Sequence, residues 1–146
     1  MGVKLSTGFR TALMGANGVD TIMNLGFIKI YTGTVPASPD DALGSAVLLN
    51  TISNNSTGTG LTLGTAAAGV ISKTTSEVWS GVSVASGTPT FFRHVLSGDT
   101  GASSSTDVRI QGAVAVVGAD LNMTNASFTS GGTETVTVYN ITMPAG

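Results

Sequence analysis

The side chain best suited to proton transfer near neutral pH in this chain is its single histidine, His94. A Ser-His-Asp triad cannot be judged from sequence neighbours alone, because its three members come together only in the fold. Nothing near His94 completes such a triad, and the residue lies in an apolar run between Phe92 and Leu96. This setting favours a half-buried structural histidine; a subunit contact that responds to pH is the alternative.

The acidic residues include two small groups with oxygen atoms of the kind that calcium prefers. Asp40 and Asp41 are adjacent in a proline-rich stretch, and Asp99 and Asp107 flank a serine-rich one. The regular spacing of acids in a calcium-binding loop is absent, so we expect solvated loop acids and no bound metal. A glycosidase would need two carboxylates facing each other across a cleft, and no acid lies in an aromatic-rich stretch that could hold a sugar.

Two further features suggest ligand binding and have simpler interpretations. Trp79, Tyr31 and Tyr139 would make a small carbohydrate platform if they met on the surface, but scattered aromatic residues in a β-rich chain more often belong to a core or interface. The segment Gly58-Thr59-Gly60 lacks the lysine that a phosphate-binding loop requires. We expect no cofactor.

The composition argues against an enzyme. The chain of 146 residues has no cysteine, only 10% charged residues, and 20 Gly, 22 Thr and 16 Ser. Zero cysteine excludes disulfides and thiolate catalysis. A net charge of −2, with six basic residues that form no cluster along the sequence, argues against a nucleic-acid partner. No run approaches the roughly 18 apolar residues of a membrane span. A neutral, hydroxyl-rich surface favours a protein covered by partners, and we expect a homo-oligomer.

The first 25 residues have a helical pattern. Leu5, Phe9, Ala12 and Leu13 fall on one face of a short helix, which Ser6 or Thr7 can cap and Gly15 or Asn17-Gly18 can end. Such a helix either covers an open end of the core or forms an arm that docks on a neighbouring subunit. For the docking interpretation we predict these contact residues: Val3, Leu5, Phe9, Leu13 and Met14.

From residue 26 the chain has the pattern of short strands. Runs rich in β-branched residues alternate with Gly, Pro, Ser and Asn turns about every 8–12 residues. We predict eight or nine strands, at 27–32, 47–52, 61–63, 70–73, 77–85, 90–96, 108–117, 121–129 and 133–143. The stretches 34–46 and 97–107 are predicted loops. The predicted fold is all-β, an antiparallel β-sandwich of jelly-roll or immunoglobulin-like type (26–146) with an N-terminal helical segment (1–25).

Several of these segments are familiar. The chain resembles a family of small virion proteins of tailed bacteriophages over nearly its whole length. The residues that carry the resemblance are Gly26–Pro36, Trp79-Ser80-Gly81, Ala85–Arg93, Val108–Gly112, Gly118–Met123 and Pro144-Ala145-Gly146.

The resemblance implies a structural role and supplies no active-site motif. It implies a virion component assembled in the host cytoplasm, which fits a chain without cysteine. Within a virion, a capsid decoration or cement protein that contacts the major capsid protein is the role that fits best. A tail or neck component is the alternative, and a glycan- or receptor-binding module on the virion surface is a further one.

Overall fold

The computed structural model describes residues 2–143, and most of the chain within that range lies in strands and turns. The elements are β1 Lys4–Leu5, α1 Thr7–Leu13, α2 Val19–Ile22, β2 Phe27–Thr32, β3 Val47–Asn54, β4 Val70–Ser72, β5 Trp79–Val82, β6 Phe91–Val95, β7 Arg109–Ala115, β8 Leu121–Met123 and β9 Thr133–Thr142. The prediction of an all-β protein is confirmed. The predicted strand at 61–63 consists of two isolated bridges, Gly26 with Leu61 and Leu63 with Lys73. Neither helix in residues 2–143 has the length and apolar character needed to cross a bilayer.

The strands form one closed barrel, whereas two separate sheets were predicted. Seven strands pair in the order β7-β6-β2-β3-β5-β9-β8, and β8 returns to β7. Short β8 closes the ring because it pairs with β9 in antiparallel and with β7 in parallel orientation. The sandwich of jelly-roll or immunoglobulin-like type is therefore replaced by a seven-stranded barrel, with β1 added to β7 and β4 added to β9.

The barrel interior is filled by alternate residues of each strand, as the strand period of two requires. Large members of this core are Ile28, Ile30, Phe92, Trp79 and Tyr139. In β9 the regular alternation fails at one point: the register with β8 shifts between Asn122 and Met123, so Val136 faces inward together with Tyr139. Thr137, which strict alternation would place on the same face as Tyr139, is exposed.

The N-terminal segment shares this core. Leu5 belongs to β1, which pairs with β7, and the helix begins only at Thr7. The Ser6 hydroxyl caps the helix by accepting a hydrogen bond from the Phe9 amide (3.1 Å) and accepts a second one from the Arg109 amide (2.9 Å). Phe9 and Met23 are fully buried with the barrel residues. Residues 2–25 therefore cover an open end of the core, which is the first of the two sequence interpretations.

Replacing Gly8 by alanine is expected to destabilise the protein, although alanine is the better helix former by about 1 kcal/mol. Helix α1 lies in backbone contact with the loop before β7, and a Cβ at residue 8 would come within 2.6 Å of the carbonyl oxygen of Asp107 and nearer still to that of Thr106. Overpacking of this kind costs about 1–3 kcal/mol. Urea unfolding measures the change, and Gly2→Ala is the control because nothing lies within 4 Å of its Cβ position. Equal stability of the two variants would contradict the packing described.

Candidate functional site

His94 lies inside the barrel, on β6. Its Nδ1 is 3.0 Å from the hydroxyl oxygen of Tyr139, and its ring packs edge-on against Trp79. Burial lowers the pKa of His94 to about 3 and raises that of Tyr139. The Nε2 atom is buried without a hydrogen-bond partner, close to Gly26, where a Cβ would come within 2.9 Å of it. His94 is therefore a neutral, fully enclosed group, whereas the sequence analysis predicted a half-buried one.

The most extensive polar arrangement surrounds Arg109 on the outer face of β7. Its Nε donates to the Asp99 carboxylate at 2.6 Å, and its Nη2 donates to Asp107 at 3.0 Å. The same guanidinium donates to the carbonyl oxygens of Pro39 (3.0 Å) and Ala102 (2.9 Å). The arginine is completely buried beneath these groups. One side chain thus fixes both long loops to the barrel.

The segment 36–41, which we call the strap, is held through its main-chain oxygens. Arg93 on β6 donates from Nη2 to the carbonyls of Ser38 (3.3 Å) and Asp41 (2.9 Å), and from Nε to the Gln111 side chain (2.9 Å). Gln111 in turn donates to the Pro36 carbonyl at 2.8 Å, and the Lys4 ammonium donates to that of Ala37 at 2.9 Å. With the bond from Arg109 to Pro39, side chains bond five carbonyl groups of the strap, and the Ser104 amide donates to the sixth, that of Asp40, at 2.9 Å. The strap is therefore a fixed part of the barrel surface.

The carboxylate of Asp40 ties the strap to the N-terminal segment. It accepts bonds from the Thr7 amide (2.8 Å) and the Thr7 hydroxyl (2.6 Å), and the hydroxyl bond is the main cause that lowers the pKa of Asp40. On the other loop, the Lys29 ammonium donates to the Asp99 carbonyl at 2.8 Å. The acids considered above for calcium thus have internal partners. Among residues 2–143 no group of three or more His, Cys, Asp or Glu could hold a metal ion.

These contacts define what we call the charged cluster. It contains nine of the fourteen charged residues: Lys4, Arg10, Lys29, Asp40, Asp41, Arg93, Asp99, Asp107 and Arg109. The sequence analysis found no clustering of basic residues, and the fold brings five of the six together. Strand register is the cause: Lys29 lies opposite Arg93, Arg93 opposite Gln111, and Gln111 opposite Lys4. The available signal was that Lys29, Arg93 and Arg109 each alternate with core residues along a strand.

The strands on the other side of the barrel contain few charged residues. Strands β3, β4, β5 and β8 contain no charged residue, and the one charged residue of β9, Glu134, is only 3% exposed. Glu134 accepts a hydrogen bond from the Asn125 side chain at 2.7 Å. Most of the charged residues therefore belong to the charged cluster, while Lys73 and Glu77 lie next to β9 and β5.

The aromatic residues considered for carbohydrate binding are buried. Trp79 and Tyr139 lie in the core 5.6 Å apart, and Tyr31 stacks on Phe91 beneath the loops. The indole of Trp79 donates to the Glu77 carboxylate at 2.8 Å. These rings cannot stack on a sugar while the barrel is folded.

The five predicted docking residues differ in their exposure. Phe9 is in the core, and Val3, Leu5 and Leu13 are half-buried against it. Met14, which follows α1, is 88% exposed. Only Met14 presents most of its side chain to a partner while the chain is folded in this way.

Comparisons with known proteins add no relative. No family model, no curated protein and no solved structure matches this chain.

Proposed function

We propose that this protein is a structural component of a tailed-bacteriophage virion, specifically a capsid decoration protein that bridges capsomers. In this proposal it has no catalytic activity, contacts the major capsid protein, and is assembled into the particle in the host cytoplasm. The proposal rests on the resemblance of its segments to small virion proteins and on the charged cluster.

The charged cluster is the observation that carries the proposal. Enzymes direct perturbed titratable groups toward a cleft, where they act on a substrate. Here the arginines and aspartates are directed at the protein's own loops, and the lone histidine is enclosed. These hydrogen bonds hold the long loops in place. Fixed loops suit a structural protein of a virion better than an enzyme whose loops must open around a substrate.

The segments of the resemblance fit the same interpretation. Gly26–Pro36 contains β2 and leads into the strap, Ala85–Arg93 ends at the arginine that holds the strap, and Val108–Gly112 contains Arg109 and Gln111. These segments therefore supply the contacts that hold the loops. The closing Pro144-Ala145-Gly146 lies outside the described residues.

Adhesion between capsomers needs only modest contact per copy. Buried apolar surface contributes about 25 cal/mol per Å² before the costs of association, and a closed shell repeats each contact by symmetry. A tail or neck component remains the alternative, because the same rigid barrel suits either position. The glycan-binding alternative loses its basis because the aromatic rings are enclosed.

Quantitative mass spectrometry of purified virions from a phage that encodes this chain tests the proposal. We expect the protein in a fixed, high ratio to the major capsid protein. A few copies per particle would favour the tail or neck instead. Absence from particles whose other structural proteins are all detected would contradict both.

Binding to the shell itself provides the second measurement. Particles that lack the protein should regain heat resistance when the purified protein is added back. A matched control is the Arg109→Met variant, whose loops we expect to be released and which should restore less resistance. Particles that gain nothing from the wild-type protein would contradict a cementing role.

A further inference from the structure

The segment between the two helices is exposed along its whole length. Residues 14–18 connect α1 to α2, and we call them the link; all five are exposed. The main-chain amides of its first two residues donate to carbonyl oxygens of α1, at 3.2 and 3.1 Å, and hold the beginning of the link. The link ends in Asn17-Gly18, and none of the other seven asparagines of the chain precedes a glycine.

The side chain of Asn17 and the main-chain amide of Gly18 have no hydrogen-bond partner within residues 2–143. Gly18 has an extended backbone (φ −83°, ψ 170°), and its carbonyl oxygen accepts a bond from the Ile22 amide at 3.0 Å. Its N–H group precedes the bonds of α2 and takes no part in them. A side-chain carbonyl carbon and a main-chain nitrogen thus lie next to each other in an exposed segment that no bond fixes at this point.

This pairing favours a reaction within the chain. The main-chain nitrogen of Gly18 attacks Cγ of Asn17, the bond from Cγ to the side-chain nitrogen breaks, and that nitrogen leaves as ammonia with the proton released by Gly18. The product is a five-membered succinimide, which one water molecule opens at either carbonyl carbon to give aspartate or isoaspartate. Glycine permits the attack because it has no Cβ beside the nitrogen and adopts the required backbone conformation without strain. We propose that Asn17 is a site of spontaneous deamidation in the folded protein.

Other asparagines of the chain lack these conditions. Asn50 is fully buried, and the Asn125 side chain donates to the Glu134 carboxylate at 2.7 Å. Asn55 is exposed like Asn17, but Ser56 follows it, and the Cβ of the serine obstructs the attack of its nitrogen. Asn55 is therefore the internal control for the effect of the following glycine.

Deamidation would add a carboxylate to the N-terminal segment. The product is one unit more negative than the net charge of −2 of the sequence, and its isoaspartate form has one extra carbon in the main chain. The new charge would lie close in sequence to Met14, whose side chain is 88% exposed. Because every residue of the link is exposed, we expect the core to stay intact after the reaction.

Peptide mapping by mass spectrometry tests this inference on the full chain, incubated at mildly alkaline pH and sampled over several weeks. We expect the peptide with Asn17 to gain the mass difference between an amide and a carboxylic acid, and to separate into aspartate and isoaspartate forms on chromatography. Its rate in the folded protein should be within about threefold of the rate in urea, because an exposed segment without fixing bonds opens at almost no cost in free energy. The peptide with Asn55 should react at least about tenfold more slowly.

Gly18→Ala is the matched variant. The added Cβ would approach only the Asp20 carboxylate, at 2.8 Å, which is the end of an exposed side chain and can move aside. We expect this variant to unfold at the same temperature as the wild type and to lose ammonia from Asn17 about tenfold more slowly.

Absence of a mass gain at Asn17 in the folded wild type would overturn the inference, whether or not the chain in urea reacts. A folded rate more than about threefold below the rate in urea would also overturn it, because the fold would then protect the link. Equal rates in the wild type and Gly18→Ala would show that the glycine is not what permits the attack. None of these outcomes bears on the proposed function, which does not depend on Asn17.

Discussion

Replacing Arg109 by methionine is expected to lower the free energy of unfolding by about 3–5 kcal/mol, the usual cost of removing one partner of a buried ion pair. Methionine fills much of the same volume, so the loss comes from polar groups. The Asp99 carboxylate, with a side chain only 6% exposed, would lose the guanidinium that lies 2.6 Å from it. The carbonyls of Pro39 and Ala102 would lose their donor as well.

Urea unfolding followed by tryptophan fluorescence measures this effect, because Trp79 is buried in the core. The matched control is Arg10→Met, which changes the same residue type at an exposed position whose side chain reaches only the Thr7 hydroxyl. We expect that control to stay within about 0.5 kcal/mol of the wild type. Arg109→Lys keeps the charge but cannot bond Asp99 and both carbonyls at once, so its stability should lie between the two.

A second readout separates loop fixation from general stability. If Arg109 fixes the strap and the 97–107 loop, proteases should cut Arg109→Met within 34–46 and 97–107 under conditions where the barrel remains folded. Equal stability of Arg109→Met and Arg10→Met, with no new cleavage in either loop, would contradict the role assigned to the charged cluster.

The strands could be predicted because their signal is local. Strand β2 has the predicted bounds 27–32, since a β-branched run ends at a glycine with positive φ, Gly33. The N-terminal helix and its Ser6 cap follow from residues within one turn of each other. A glycine inside a strand indicates a bulge or a close approach. At Gly112 the structure shows a close approach, because a Cβ there would lie 2.8 Å from the Phe92 ring.

The barrel closure and the charged cluster could not be predicted, because both depend on distant pairs. Closure depends on β8, three residues long, which pairs in parallel with β7 after a tight connection. Arg109 bonds Pro39 across 70 positions, and Ser6 bonds the Arg109 amide across 103. No local pattern contains such information. The apolar stripe of α1 likewise indicates a buried face but does not say whether its own core or another chain covers Phe9.

The other large effect is expected from pH, through His94. The pKa of this histidine is about 3 in the folded protein and near 6.5 in the unfolded chain, because burial disfavours the imidazolium. Between these values the unfolded chain binds a proton that the folded protein does not. Stability is therefore complete above pH 6.5 and falls by about 1.4 kcal/mol for each pH unit below it, down to about pH 3.

The surroundings of His94 make this a clean measurement. The titratable side chain in contact with it is Tyr139, whose own pKa is raised, and burial is the cause of the histidine shift. Asp40 and Glu77, whose pKa values are lowered, begin to bind protons in the unfolded chain only near their ordinary values of 3.8 and 4.5. The interval from pH 6.5 to 5 thus isolates the one histidine of the chain.

We expect the free energy of unfolding to fall by about 2 kcal/mol between pH 6.5 and 5 in the wild type. His94→Gln keeps a group able to bond the Tyr139 hydroxyl but cannot titrate, so its curve should be nearly flat over that interval even if its absolute stability is lower. His94→Asn is the second variant if the glutamine packs poorly. The quantity compared is the change in the free energy of unfolding with pH, because a packing loss lowers the stability equally at every pH. A wild-type curve as flat as those of the variants would mean that His94 takes up its proton without unfolding, and the enclosed, neutral imidazole described here would be wrong.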